Sequence, residues 1–135
     1  MPAKKSLTAK KLQTAVIAAL EDAKGQDIVS LDVRKMTDVA DYMIVASGTS
    51  TRHVASMADR VADKLRELGR KPLGVEGQDI GEWVLIDFGD VVVHLMRPQT
   101  RDFYNLEKLW SVPPLAGESP AAQMEQRIRQ RRARK

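Results

Sequence analysis

Trp83-Val84-Leu85-Ile86-Asp87-Phe88-Gly89-Asp90-Val91-Val92-Val93-His94-Leu95-Met96 is the stretch whose reading decides the fold. Two runs rich in β-branched and aromatic residues flank Gly89-Asp90, and glycine at the first central position of a two-residue loop favours a type II′ turn, so the stretch reads as a β-hairpin. That register sets Phe88 opposite Val91, Asp87 opposite Val92, Ile86 opposite Val93, Leu85 opposite His94, Val84 opposite Leu95 and Trp83 opposite Met96. Facing residues share a side of the sheet. One side is therefore Val84, Ile86, Phe88, Val91, Val93 and Leu95, which is core. The other carries Trp83, Leu85, Asp87, Val92, His94 and Met96. It is too apolar for a solvated surface and too polar for plain core, which is how the centre of a protein-binding patch looks. The plainer reading is a sheet side covered by another element of the same chain.

Outward from the hairpin, Leu12, Ala15, Val16, Ala19 and Leu20 recur at helical spacing, so a helix is predicted over Leu7–Lys24, capped by Ser6 or Thr8 and ended by Gly25. Ile28–Val33 alternates as a half-buried strand, and Asp41–Ala46 is a more apolar one. Ser47-Gly48-Thr49-Ser50-Thr51 then offers hydroxyls to cap a helix carrying Val54, Met57, Ala58, Val61, Leu65 and Leu68, stopped by Gly69. Leu73–Glu76 reads as a short strand. Past the hairpin, Arg97-Pro98 ends pairing because proline cannot donate to a ladder, and Phe103, Leu106, Leu109 and Trp110 place a last short helix between Gln99 and Trp110.

The 135 residues make one domain, assigned to residues 6–111, followed by a Pro-containing linker and basic tail over 112–135. The chain has no cysteine, hence no disulfide and no thiolate metal site, and a reducing compartment is compatible. It holds neither an apolar run of membrane-spanning length nor a secretion signal, so a cytoplasmic protein is expected. The whole net charge of +4 sits in the tail, where Arg127, Arg129, Arg131, Arg132, Arg134 and Lys135 face only Glu118 and Glu125. Met124 and Ile128 are its apolar contacts, too few for that segment to fold alone. Such a terminus can touch RNA phosphates or stay solvated.

Catalytic groups are sparse. His53 and His94 are the histidines, and no spacing to carboxylates suggests a metal site. Asp87-Phe88-Gly89 matches a kinase motif by letter, but it falls in a hairpin turn without the other kinase elements. Ser47-Gly48 after a strand, with later acidic residues, raises a nucleotide-binding or nucleotidyltransferase enzyme as the alternative reading; helix capping is the plainer account of that loop. No cofactor is expected.

The run Asp41-Tyr42-Met43-Ile44-Val45-Ala46-Ser47-Gly48-Thr49-Ser50, then Glu76-Gly77, then Trp83 to His94, then Arg101-Asp102-Phe103-Tyr104-Asn105-Leu106-Glu107-Lys108-Leu109-Trp110 closely resembles the ribosomal silencing factors of the RsfS (Iojap) family. The resemblance runs from Leu7 to Trp110 in consistent order, and leaves the tail outside it. It implies an α+β, nucleotidyltransferase-like mixed sheet with helices packed mainly on one face, here followed by a flexible basic C-terminal tail. It also implies a non-enzymatic role: binding the large ribosomal subunit through its fourteenth protein, blocking the small subunit from joining and lowering translation when nutrients are scarce. On that footing the partner-binding residues are Trp83, Leu85, Asp87, Val92, His94 and Met96, with Tyr104 as a neighbour. An apolar patch of this kind also makes a homodimer of the free protein plausible, and RNA contact is assigned to Arg127, Arg129, Arg131, Arg132, Arg134 and Lys135.

Overall fold

The computed structural model describes residues 8–104 and 120–133. Helix α1 (Ala9–Asp22) buries Leu12, Val16, Ala19 and Leu20, the stripe the spacing predicts, and the Thr8 hydroxyl caps it by accepting the Lys11 N–H at 3.1 Å. Its C-terminal turn differs from expectation. The left-handed residue is Lys24, at φ 65°, and the Gly25 N–H donates to the Leu20 carbonyl at 2.8 Å. Gly25 answers to packing instead, because a Cβ there would lie 3.1 Å from both the Leu20 carbonyl oxygen and Met57 Cε.

Strand β1 (Gln26–Asp32) pairs antiparallel with β2 (Tyr42–Ser47). Helix α2 (Thr51–Glu67) follows, capped by Ser50, whose hydroxyl accepts the His53 N–H at 3.0 Å. Then come β3 (Gly74–Glu76), β4 (Trp83–Asp87), β5 (Val91–Met96) and helix α3 (Pro98–Tyr104), which opens on the proline that ends the sheet pairing. The part of the predicted last helix beyond Tyr104 lies outside the described residues.

The five strands form one mixed sheet in the order β1-β2-β5-β4-β3, with β2 and β5 parallel and the other neighbours antiparallel. The hairpin register is the one read from the sequence, from Asp87 opposite Val92 out to Trp83 opposite Met96. The Phe88 N–H meets the Val91 carbonyl at 2.9 Å, and Gly89 takes φ +93°, a positive value of the sign a type II′ turn needs there and one a side chain resists. Because the register holds, Val84, Ile86, Phe88, Val91, Val93 and Leu95 all point to one side, where they pack with Ile44, Ala46 and the buried stripes of α1 and α2. This is the α+β architecture expected, with two helices on one side of a mixed sheet.

The tail adds to it. Pro120–Ala133 is a helix, here α4, and it lies across the opposite side of the sheet. The sequence predicts a flexible tail with too few apolar residues to fold alone; its described residues are instead a helix packed on the domain. Ile128 is fully buried against the sheet and the arginines beside it are paired with carboxylates of the domain.

Candidate protein-binding face

Period-two alternation along β4 and β5 brings Trp83, Leu85, Asp87, Val92, His94 and Met96 to one side, and β2 adds Met43 and Val45. This side, read from sequence either as a partner-seeking patch or as a face covered by the same chain, is covered in the structure. Leu85, Asp87, Val92, His94 and Met96 are all buried, and Trp83 is half-buried. The covers are Val33, Val39 and Ala40 from the β1–β2 connection, and Ile128 from α4. The physical reason is visible in Asp87. A carboxylate in the middle of an apolar plane is costly without a counter-charge, and α4 brings two guanidinium groups to it.

Asp87 is fully buried. The Arg132 fork donates to it through Nε, 2.8 Å from Oδ2, and Nη2, 2.7 Å from Oδ1, while the Gly89 N–H donates to Oδ1 at 2.8 Å. Arg131 Nη2 stands 3.2 Å from Oδ2. Burial pushes the Asp87 carboxyl up, but the Arg132 and Gly89 hydrogen bonds and the charges of Arg132 and Arg131 outweigh it and leave it below the ordinary carboxylate value. Arg132 also donates to the Val39 and Gly89 carbonyls, at 3.0 and 3.1 Å.

Around this centre lie two further acids. Glu76 accepts from Arg131 Nε and Arg127 Nη2, both at 2.6 Å; burial raises its carboxyl and the two arginines bring it below the usual range. Asp38 pairs with Arg129, which lowers its carboxyl in turn. Gly74 leaves room for this arrangement, since a Cβ there would lie 2.4 Å from Arg131 Nη1. A cleft of about 240 Å³ opens beside the helix, lined by Glu76, Gly77, Trp83, Leu85 and Arg127.

His94 is held as one neutral tautomer. The Trp83 indole N–H donates to Nδ1 at 3.1 Å, so Nδ1 is an acceptor and Nε2 carries the proton, directed at the Met43 sulfur 3.2 Å away. Burial pushes the imidazole down to about 4. A second proton on Nδ1 would face the indole N–H, so the hydrogen bonding agrees with that direction.

Of the residues assigned to RNA contact, Arg127, Arg129, Arg131 and Arg132 are paired with Glu76, Asp38 and Asp87, with Arg127 and Arg129 still largely open to solvent; Arg134 and Lys135 lie outside the described residues. Tyr104 is the last residue of α3, and its side chain lies outside the described part. The Ser47-Gly48 loop takes the capping role. Ser50 caps α2, and the Ser47 hydroxyl accepts from Arg101 Nη1 at 2.9 Å. Asp87, one of the later acidic residues on which the nucleotidyltransferase alternative would draw, is bound to Arg132, and the described residues hold no group of three His, Cys, Asp or Glu side chains placed to share a metal ion.

Sequence reading missed Asp38, Glu76 and Met43 as parts of this face, and α4 as its cover. One signal was present: Arg127, Ile128, Arg131 and Arg132 fall at i, i+1, i+4 and i+5, which places them along one stripe of a helix.

The fold and this face define a small α+β domain that shares its architecture with solved structures. A crystal structure of a Chromobacterium violaceum protein superposes with a TM-score of 0.76 at 45% identity, covering 84% of this chain and 96% of that one. One from Bacillus halodurans gives 0.69 at 32% identity, covering 80% and 99%. A family model described as RsfS, ribosomal silencing factor during starvation, matches residues 6–135, a span that includes α4. The chain is 53% identical over 94 residues to the ribosomal silencing factor RsfS of Chromobacterium violaceum, covering 70% of this chain and 77% of that protein. It is also 35% identical over 100 residues to a Mus musculus protein named mitochondrial assembly of ribosomal large subunit protein 1, covering 72% of this chain and 44% of that protein. The chain belongs to the RsfS family of ribosomal silencing factors. Among the described residues no helix is long and apolar enough to cross a membrane.

Proposed function

We propose that this protein binds the large ribosomal subunit through its fourteenth protein and, by occupying that surface, keeps the small subunit from joining, which represses translation under nutrient limitation. The action is steric, needs no cofactor, and uses the sheet side around Trp83, Leu85, Asp87, Val92, His94 and Met96, with Tyr104 at its margin. Family membership supports the ribosomal role, and the name of the mouse relative points to the large subunit. The observation that carries the choice of face is the sheet side itself. Its acid and imidazole lie in an apolar plane, and among the described side chains of α4 the cover contributes one buried apolar group, Ile128. Sedimentation of purified subunits with the protein tests this: it should travel with the large subunit and reduce the yield of joined ribosomes. Free protein at the top of the gradient with normal joining would defeat the proposal.

A further inference from the structure

The side of the sheet assigned to the partner is occupied by the chain's own C-terminal helix, and the character of that occupant is informative. Of the described α4 side chains, Ile128 is the one fully buried on the sheet. Four arginines flank it, and each meets an acid of the domain: Arg127 and Arg131 at Glu76, Arg129 at Asp38, Arg132 at Asp87. The face is thus an apolar floor with acids at its centre and rim, and what it holds is a basic segment with one aliphatic knob.

The hold is light. The Arg129–Asp38 pair is open to solvent at both ends, and Arg127 is largely exposed, so these pairs are screened and weak. Arg131 leaves Nη1 buried without a hydrogen bond. The strongest tie is the two-pronged one from Arg132 to Asp87. An isolated 14-residue helix is at the margin of stability in water, so α4 needs the sheet more than the sheet's folded side needs α4.

We propose that α4 is an intramolecular stand-in for the partner: the face around Asp87, Glu76 and Asp38 takes a basic protein segment that inserts an apolar side chain over the sheet, and α4 competes with that segment for the same place. This rests on the reading that this sheet side is the binding face. Binding then requires α4 to leave, and the partner's basic groups take over the carboxylates that the arginines give up. A face open in roughly one molecule in ten binds about tenfold more weakly than one always open. Truncating or loosening the helix therefore strengthens binding, and fastening it abolishes binding.

The chain has no cysteine, so an Asp38→Cys, Arg129→Cys double variant of the full-length protein carries a unique thiol pair that a reducible bismaleimide can bridge, fastening α4 to the β1–β2 connection. Crosslinked protein should bind purified large subunits at least about tenfold more weakly than the same sample after reduction. Equal binding before and after reduction would overturn the competition. If the reduced protein ignores large subunits altogether, the ribosomal reading of the face fails, and a second arm still judges the helix. A labelled peptide with the sequence of residues 120–133 should bind full-length protein bearing Arg131→Gln and Arg132→Gln, whose own helix is loosened, and should bind the parent several-fold more weakly. Equal binding to both, or to neither, would overturn the stand-in.

Discussion

The two sides of the one sheet are built from the same strands and obey different rules. On the α1/α2 side every hairpin residue is aliphatic or aromatic, and the helices above it bury matching apolar stripes. On the α4 side the same two strands offer a carboxylate and an imidazole; Val33, Val39 and Ala40 cover part of it, and α4 is tied over the rest by ion pairs around Ile128. The first side is cohesive without any charge and fixes the fold. On the second, α4 is tied down largely by ion pairs, which is what a surface exchanging one occupant for another requires.

The comparison breaks first if the apolar side proves dispensable. Phe88 is fully buried among the α1/α2 core. Phe88→Ala should cost about 3–5 kcal/mol of stability in urea unfolding, through lost burial and the cavity left behind. A loss below 1 kcal/mol would mean that this side is not the structural one.

The opposite side should instead show a pH dependence, and His94 supplies it. Its folded value of about 4 lies below the ordinary 6.5, so the unfolded chain binds the proton first. The contribution is therefore complete above pH 6.5 and is lost as pH falls from 6.5 towards 4. At roughly 1.4 kcal/mol per pH unit it amounts to something on the order of 3 kcal/mol. The groups facing the ring are the Trp83 indole and the Met43 sulfur, neither of which titrates in that window. Urea unfolding of the parent and of His94→Gln at pH 7 and pH 4.5 checks it: the parent should lose stability faster, and parallel losses would refute the neutral, buried imidazole.

Binding should discriminate the two sides as well. Trp83 is the large half-buried aromatic at the rim of the covered face, beside the cleft lined by Glu76 and Arg127. Trp83→Ala should weaken large-subunit binding by about 2 kcal/mol or more, as truncation of an aromatic anchor does. Circular dichroism must show the fold retained. Trp83→Phe keeps the ring and removes the donor to His94, so it should lose less.

Most of the apolar side was legible from sequence because its rules are local and periodic. The hairpin register followed from Gly89-Asp90 and the alternation on either side, and the α1 and α2 stripes from their spacing. The α4 side was legible as a composition and not as a contact. Asp87 and His94 marked it as unusual, but what satisfies Asp87 comes from 45 positions away, and nothing in alternation or propensity points that far. Glu76 and Asp38 looked like ordinary solvated acids because their partners lie in the same distant segment. The arginine spacing of the tail was the one available clue, and it becomes meaningful only once a lone buried carboxylate is seen to need a counter-charge.

The finest test of the comparison lies within the α4 side, between the buried tie and the exposed ones. Arg129 and Asp38 are paired, yet Asp38 is mostly exposed and Arg129 half-exposed, so water already solvates both when they separate. Arg129→Gln should therefore change stability by less than about 1 kcal/mol, and raised salt should mimic it. Arg132→Gln removes the two-pronged contact to a carboxylate that has no access to water while α4 is docked, so amide exchange across α4 should accelerate far more in that variant than in Arg129→Gln. If the two variants loosen the helix equally, the hold on the face is spread over its rim, and Asp87 is not the point on which the cover turns.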